Sequence, residues 1–308
     1  MLQSAKEGIR EAYSSEEYAL IQAINAYLEA SKSYNLVYER LTEWYGIYYP
    51  EVRVTNPSTL AQLALALTTD KPTYDSIYEA VKDEKKAQQI FEQSKTTAGR
   101  KMGADEREAV VSFAEMSESM KESMESLEDY IKKASGRMLP NTTYLTDEKI
   151  AAELLAKAGS MERLATMPAS TVQLLGAEKS LFKHIKFGSK PPKYGVLFKM
   201  PVVNSAPRDQ RGRIARVYAT KISIALKADH YTKKFIGNEL KKSLDEAVAK
   251  IKSSPPRPDR PQQEQRRQRF QGPGGNPRQQ HQQHQQHRQH QSYPHQHHGR
   301  PDDRARRK

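Results

Sequence analysis

Three groups of cations in the C-terminal half of the chain have the types and spacing to hold phosphate. Lys179, Lys183 and Lys186 recur at the four- and three-residue steps that place side chains on one helix face. Such a stripe suits the backbone of a nucleic acid. Read at about 100° per residue from Thr171, Gly176 falls on the same side. Glycine inside a helix costs about 1 kcal/mol relative to alanine. Close approach of an anion to the backbone would give it a reason, as would tight helix–helix packing with the lysines simply solvated. The second group is Arg208-Asp-Gln-Arg-Gly-Arg213, with Arg216 one turn on. Guanidinium forks at a helix start fit phosphate oxygens. The third is the loop Lys190-Pro-Pro-Lys-Tyr-Gly195, where Lys190 and Lys193 can grip a backbone and Tyr194 can stack on a base.

Chemistry of other kinds finds little material. The chain has no cysteine, which removes disulfides, thiolate nucleophiles and cysteine-based zinc sites. It carries no phosphate-loop motif, no Gly-x-Gly-x-x-Gly and no His-Glu-x-x-His. Outside the last fifty residues only His184 and His230 occur, and His184 lies at the polar margin of its helix. No cofactor and no metal site is expected, and an enzyme is disfavoured. Glu178 projects into the apolar face of Leu174, Leu175, Leu181, Phe182 and Ile185. A carboxylate there needs a partner, and a structural ion pair with Arg211 or Lys221 is the expectation.

The elements that must position these groups read as helices. An all-α fold is expected: a coiled-coil arm over residues 1–134, a compact helical domain over 135–254, and a disordered tail over 255–308. In the first helix, residues 14–45, Leu20, Ile24, Tyr27, Ser31, Tyr34, Tyr38, Leu41 and Tyr45 form a seam of alternating four- and three-residue steps. The partner helix is placed at 105–133, with Phe113, Met116, Met120, Met124, Leu127 and Ile131 along one face. Segments 56–69 and 74–95, bounded by Pro57 and Pro72, form a helical tip. There Leu60, Leu63, Leu65 and Leu67 make an exposed cluster suited to self-association, or else close the hairpin. The domain follows with helices at 147–158, 160–166, 170–185, 210–231 and 235–252, and a short extended segment at 196–203.

Charge separates the same parts. Residues 1–140 hold 17 Lys and Arg against 23 Asp and Glu, residues 141–254 hold 21 against 10, and residues 255–308 hold 12 against 4. The whole excess of the +13 chain therefore sits beyond the arm, as a polyanion-binding module on a scaffold would have it. The tail is rich in Pro, Gln, Arg and His and cannot bury enough apolar surface to offset ordering entropy. Its His281, His284, His287 and His290 recur every third residue, as low-complexity filler or a weak metal binder. The polar N-terminus is no signal peptide, and the longest apolar run, residues 60–67, is far too short for a bilayer. A soluble intracellular protein without membrane contact is expected.

Gly176-Ala-Glu-Lys-Ser-Leu-Phe182, preceded by Ala158-Gly-Ser160 and Met167-Pro-Ala-Ser170, resembles the signature of the Nop domain. So does Lys190-Pro-Pro-Lys-Tyr-Gly195 followed by Gln210-Arg-Gly-Arg-Ile-Ala-Arg216. Ile21-Gln-Ala-Ile-Asn25, Glu43-Trp-Tyr-Gly46, Tyr49-Pro-Glu51 and Met102-Gly-Ala-Asp105 resemble the family's coiled-coil arm. The match runs in order over about residues 15–250. It implies a core scaffold of archaeal box C/D ribonucleoproteins, or of their nucleolar and spliceosomal relatives. Such a scaffold recognises a kink-turn guide RNA together with the small ribosomal-type protein bound to it, and self-associates through its arm. By position, the surface residues implied are Gly176, Lys179, Lys183, Lys193, Tyr194, Gln210, Arg211 and Arg213. The Tyr194 position is often His in relatives, so stacking is expected there rather than an imidazole hydrogen bond. Only about 14 residues precede the arm, where fibrillarin-recruiting relatives carry a further domain. Fibrillarin methyltransferase is thus expected by an indirect route, or the chain is a fibrillarin-independent, spliceosomal-type assembly factor. The location implied is cytoplasmic in an archaeal-type cell and nuclear or nucleolar in a eukaryote.

Overall fold

The computed structural model describes residues 15–69 and 72–254, which form α-helices and short helical turns with no strand among them. The tail, with its expected disorder and its histidine repeat, lies outside the described residues.

Helix α1 (Glu16–Tyr45) starts where the Ser15 side chain accepts from the Glu17 amide, with Glu16 and Glu17 at the positive end of the helix dipole. Its seam is buried or half-buried from Leu20 to Tyr45. The seam faces α5 (Ala104–Met138). Arg137 pairs with Glu16, and Tyr27 donates to Glu128, so the two helices are antiparallel. On α5 the expected stripe is only partly correct. Ile131 is buried, Phe113, Met120, Met124 and Leu127 are half-buried, and Met116 is exposed. Besides Ile131, the fully buried residues are Val110, Ala114 and Ser117 in the arm and Ala134 and Ser135 at its base. Tyr34 of α1 lies beside Ser117 and Glu118, and small residues leave room for such rings.

The tip contains α2 (Pro57–Leu67), α3 (Tyr74–Val81) and α4 (Glu84–Lys95), capped by Asn56, Thr73 and Asp83. Lys82, at φ +56°, ends α3 and splits what spacing alone reads as one helix over 74–95. Leu60, Leu63 and Leu67 are fully buried within a tip core that includes Leu41, Tyr45, Ile77 and Ala114. The expectation of an exposed cluster is corrected here. These three close the hairpin because α2 packs on α1, α3 and α5 at once; Leu65 is half-buried.

A second core begins at the base of the arm. Leu20, Ile21, Ile24, Ile131 and Ala134 join the interior of the domain, so packing is continuous across residue 134. The break expected over 135–143 shrinks to Leu139, which separates α5 from α6 (Pro140–Leu145). The domain continues with α7 (Glu148–Ala158), α8 (Met161–Thr166), α9 (Ala169–Leu174), α10 (Glu178–Phe187), α11 (Pro201–Asn204), α12 (Arg208–Lys227) and α13 (Gly237–Lys252).

The segment expected to be extended, 196–203, is instead a 3-10 turn (Val196–Lys199) running into α11. Its buried residues Val196, Leu197, Met200 and Val203 keep helical spacing, and packing overrides the strand preference of valine. A π turn (Ala228–Thr232) follows α12 and buries Asp229. That carboxylate accepts from the Asn141 and Thr142 amides, the Asn141 side chain and the Thr142 hydroxyl at 2.7–3.0 Å. It thereby caps α6, and its four donors offset the cost of burying a charge. No helix among the described residues is long and apolar enough to cross a membrane.

Candidate nucleic-acid interface

The stretch expected to be one helix over 170–185 is broken in two. α9 ends at Leu174, and α10 starts at Glu178. Between them Gly176 takes φ +84°, a left-handed conformation that side chains resist. A Cβ there would also lie 2.8 Å from Val196 Cγ2. The glycine serves the chain break and its packing on Val196, and neither an interior helical position nor a phosphate needs to be invoked.

The break also moves Glu178. It is the first residue of α10, exposed, and its Oε1 accepts from the Gly176 amide at 2.6 Å. The expected ion pair with Arg211 or Lys221 is not formed. A negative side chain at the positive end of a new helix has no need of a buried cation. Arg211 Nε instead donates to the Ala206 carbonyl at 2.7 Å, and Lys221 is half-buried on α12.

Two surfaces result. The first is a composite of loop and helix. Buried Gln173 donates from Nε2 to the Lys193 carbonyl at 2.6 Å and accepts at its own carbonyl from the Gly195 amide. The Val196 amide donates to the Leu175 carbonyl at 2.7 Å. A Cβ on Gly195 would stand 1.8 Å from that carbonyl oxygen, so the loop closes on the break only because residue 195 is glycine. Pinned this way, Tyr194 stacks on Phe198 with ring centroids 4.7 Å apart, and the Arg211 guanidinium lies 5.6 Å from the Phe198 centroid. Lys193 passes over Gly212, where an added Cβ would meet the lysine methylenes at an ordinary 3.5 Å. Lys193, Tyr194 and Arg211 are thus brought together, with one face of Tyr194 already covered.

Phe198 was missed in the sequence, because Tyr194 lies in the loop ahead of the 3-10 turn and only the closed loop stacks the two rings. The remaining residues of the cationic motif separate. Gln210 is buried. Arg213 Nη1 donates to Ser254 Oγ at 2.8 Å, and Arg216 is exposed. Two helical positions on from Arg211, Arg213 points to a different side of α12.

The second surface is α10. It contains no buried residue. Phe182, Ile185 and Phe187 are 59%, 74% and 70% exposed. Beside them Lys179, Lys183 and Lys186 are exposed, with the Lys186 ammonium 5.7 Å from the Phe182 ring centre and 5.4 Å from that of Phe187. His184 Nδ1 contacts the Ser189 carbonyl, which ties the exposed loop carrying Lys190 back to the helix. Of the apolar face read in the sequence, Leu175 is buried and Leu174 and Leu181 are half-buried, whereas Phe182 and Ile185 stand with Phe187 in a surface ridge flanked by cations.

The family model described as Nop, snoRNA binding domain, fibrillarin, matches residues 27–250, spanning both arm and domain. The chain belongs to the Nop family. A NOP5 family protein of Methanocaldococcus jannaschii is 35% identical over 254 residues, covering 82% of this chain and 61% of that protein. Human nucleolar protein 56 is 33% identical over 241 residues, covering 75% of this chain and 40% of that protein. This Nop chain therefore spans between two fifths and three fifths of the length of these curated relatives. A solved chain from a fibrillarin/Nop5p complex overlays with a TM-score of 0.48 at 22% identity, covering 81% of this chain and 75% of that one. An overlay that loose carries no argument about arrangement.

Proposed function

We propose that this Nop protein is a non-catalytic RNA-binding scaffold of a box C/D-type ribonucleoprotein that guides RNA 2′-O-methylation. It recognises a kink-turn RNA together with the small ribosomal-type protein bound to it. The observation that carries this reading is the double character of α10: an uncovered ridge of Phe182, Ile185 and Phe187 beside a stripe of Lys179, Lys183 and Lys186. Apolar side chains left out of a core suit a protein surface, and the adjacent ammonium groups suit phosphate. Lys193, Tyr194 and Arg211 extend the cationic face with a ring for a base. The family membership, and the snoRNA and fibrillarin in the description of the matching model, support the same assignment. Fibrillarin is a partner of the assembled particle by a route other than this ridge. The arms associate in pairs through surfaces other than Leu60, Leu63 and Leu67.

The test is binding of the chain to a kink-turn RNA with and without its cognate small kink-turn protein, across a salt series. Tight binding should require both components. Phe182→Ala with Ile185→Ala should remove the gain from the protein, whereas Lys179→Glu or Arg211→Glu should weaken binding and flatten the salt dependence by about one phosphate contact each. Equal binding to any RNA regardless of fold or protein, unchanged by these substitutions, would overturn the assignment.

A further inference from the structure

At the far end of α12 from Arg211, a second group of aromatic and cationic side chains is exposed. The helix runs on from Arg211 to Lys227, so at about 1.5 Å per residue the two groups are separated by roughly 24 Å along its axis. Tyr144 of α6 and Phe235 meet edge to face, with ring centroids 5.4 Å apart and planes at 81°. The backbone at Gly237 packs against both rings, and each stays about half exposed. Tyr231 lies four residues before Phe235, at most about 14 Å along the chain, and its ring meets His230 edge to face at 4.5 Å. All three large rings are exposed, as are Lys227, Lys233 and Lys234.

This surface is held rigidly from beneath. Buried Asp229 ties the π turn to Asn141 and Thr142. Asn141 in turn donates to the Lys234 carbonyl at 2.8 Å and accepts from the Ile236 amide at 2.6 Å. Lys233 is locked at φ +55° between them. Lysines near a helix C-terminus complement its dipole, but that service needs no exposed rings. Rings about half exposed, on a fixed backbone and among ammonium groups, match the stacking and charge of an unpaired polynucleotide better than a protein surface.

We propose that Tyr144, Tyr231 and Phe235, with Lys233 and Lys234, form a second RNA-binding site that stacks the bases of a single strand, separate from the α10 and Arg211 surface. The test uses the full chain and an oligouridylate of about 12 nucleotides, a length within the usual single-strand site size. Ultraviolet crosslinks should map to Tyr144, Tyr231 or Phe235. Tyr231→Ala should reduce both crosslinking there and affinity by at least about fivefold, the lower end for one stacked base. Tyr231→Phe should restore both, and Lys233→Glu with Lys234→Glu should flatten the salt dependence. Unchanged melting of each variant shows that the Asp229 network is intact. Crosslinks confined to other regions would overturn the site. So would a Tyr231→Leu variant that binds as well as the native chain, because leucine preserves an apolar surface without stacking. Arg211→Glu, which should weaken composite recognition, should leave the crosslink at Tyr231 in place, so the two assignments fail separately.

Discussion

Helices α2 and α10 have 11 and 10 residues, and each gathers large apolar side chains. In α2, Leu60, Leu63 and Leu67 are fully buried; in α10, Phe182, Ile185 and Phe187 remain in solvent. An amphipathic pattern reports that a face is apolar and leaves open what covers it. α2 is enclosed because three neighbouring helices converge on it. α10 lies beyond a left-handed glycine, and among the described residues none of its side chains is buried. The first face is spent on folding, and the second stays in solvent.

The sharpest way to break this contrast is to shorten one side chain on each helix. Leu63→Ala should destabilise the tip by about 2–5 kcal/mol, the range for a buried leucine that leaves a cavity. Ile185→Ala should change the stability of the free chain by no more than about 0.5 kcal/mol. The single tryptophan, Trp44, sits at the tip against Phe113 with ring centroids 6.1 Å apart, so its fluorescence in a urea titration reports the first effect. Circular dichroism reports the second. Equal losses in the two variants would mean that α10 is covered after all.

Next in size is the hinge itself. Gly176→Ala forces a side chain into a left-handed backbone and against Val196. It should cost about 1–3 kcal/mol, read as a lowered melting temperature of the domain. A neutral result would show that α9 and α10 can rejoin as one helix, which would carry the ridge elsewhere.

The smallest effect is that of acid. Hydrogen bonds from the Ala98 amide and the Thr97 hydroxyl hold the Glu51 carboxyl below its ordinary range. The Gly103 amide and then Arg100 do the same for Glu106. Groups lowered on folding stabilise above the unfolded value, about 4.3 for glutamate, and that contribution fades as pH falls through the folded value. Trp44 fluorescence should therefore show the tip loosening below about pH 4, and Glu51→Gln with Glu106→Gln should flatten that dependence.

Much of the architecture was legible because it is local. Ser15, Asn56, Asp147 and Ser160 each cap the helix that follows, and the seam of α1 keeps its period over the whole helix. The cationic motifs around residues 179–186, 190–193 and 208–216 were likewise visible as spacing. Less legible was any feature that depends on two distant segments meeting. The Phe198 ring between Tyr194 and Arg211 needs a loop and a helix start together. The burial of Asp229 needs Asn141 and Thr142, nearly ninety residues upstream.

By itself the sequence determined that the chain is helical, that an acidic arm precedes a basic domain, and that the domain carries cations at helical spacing. These follow from periodicity, capping and charge, each written within a few turns of chain. Tertiary structure alone decided which apolar faces are covered, where Glu178 finds its donor, and which arginine of 211 and 213 joins the tyrosine. Those outcomes depend on a backbone dihedral at Gly176 and on the contact of Gly195 with the Leu175 carbonyl, because a change of direction at one residue reorients every side chain beyond it.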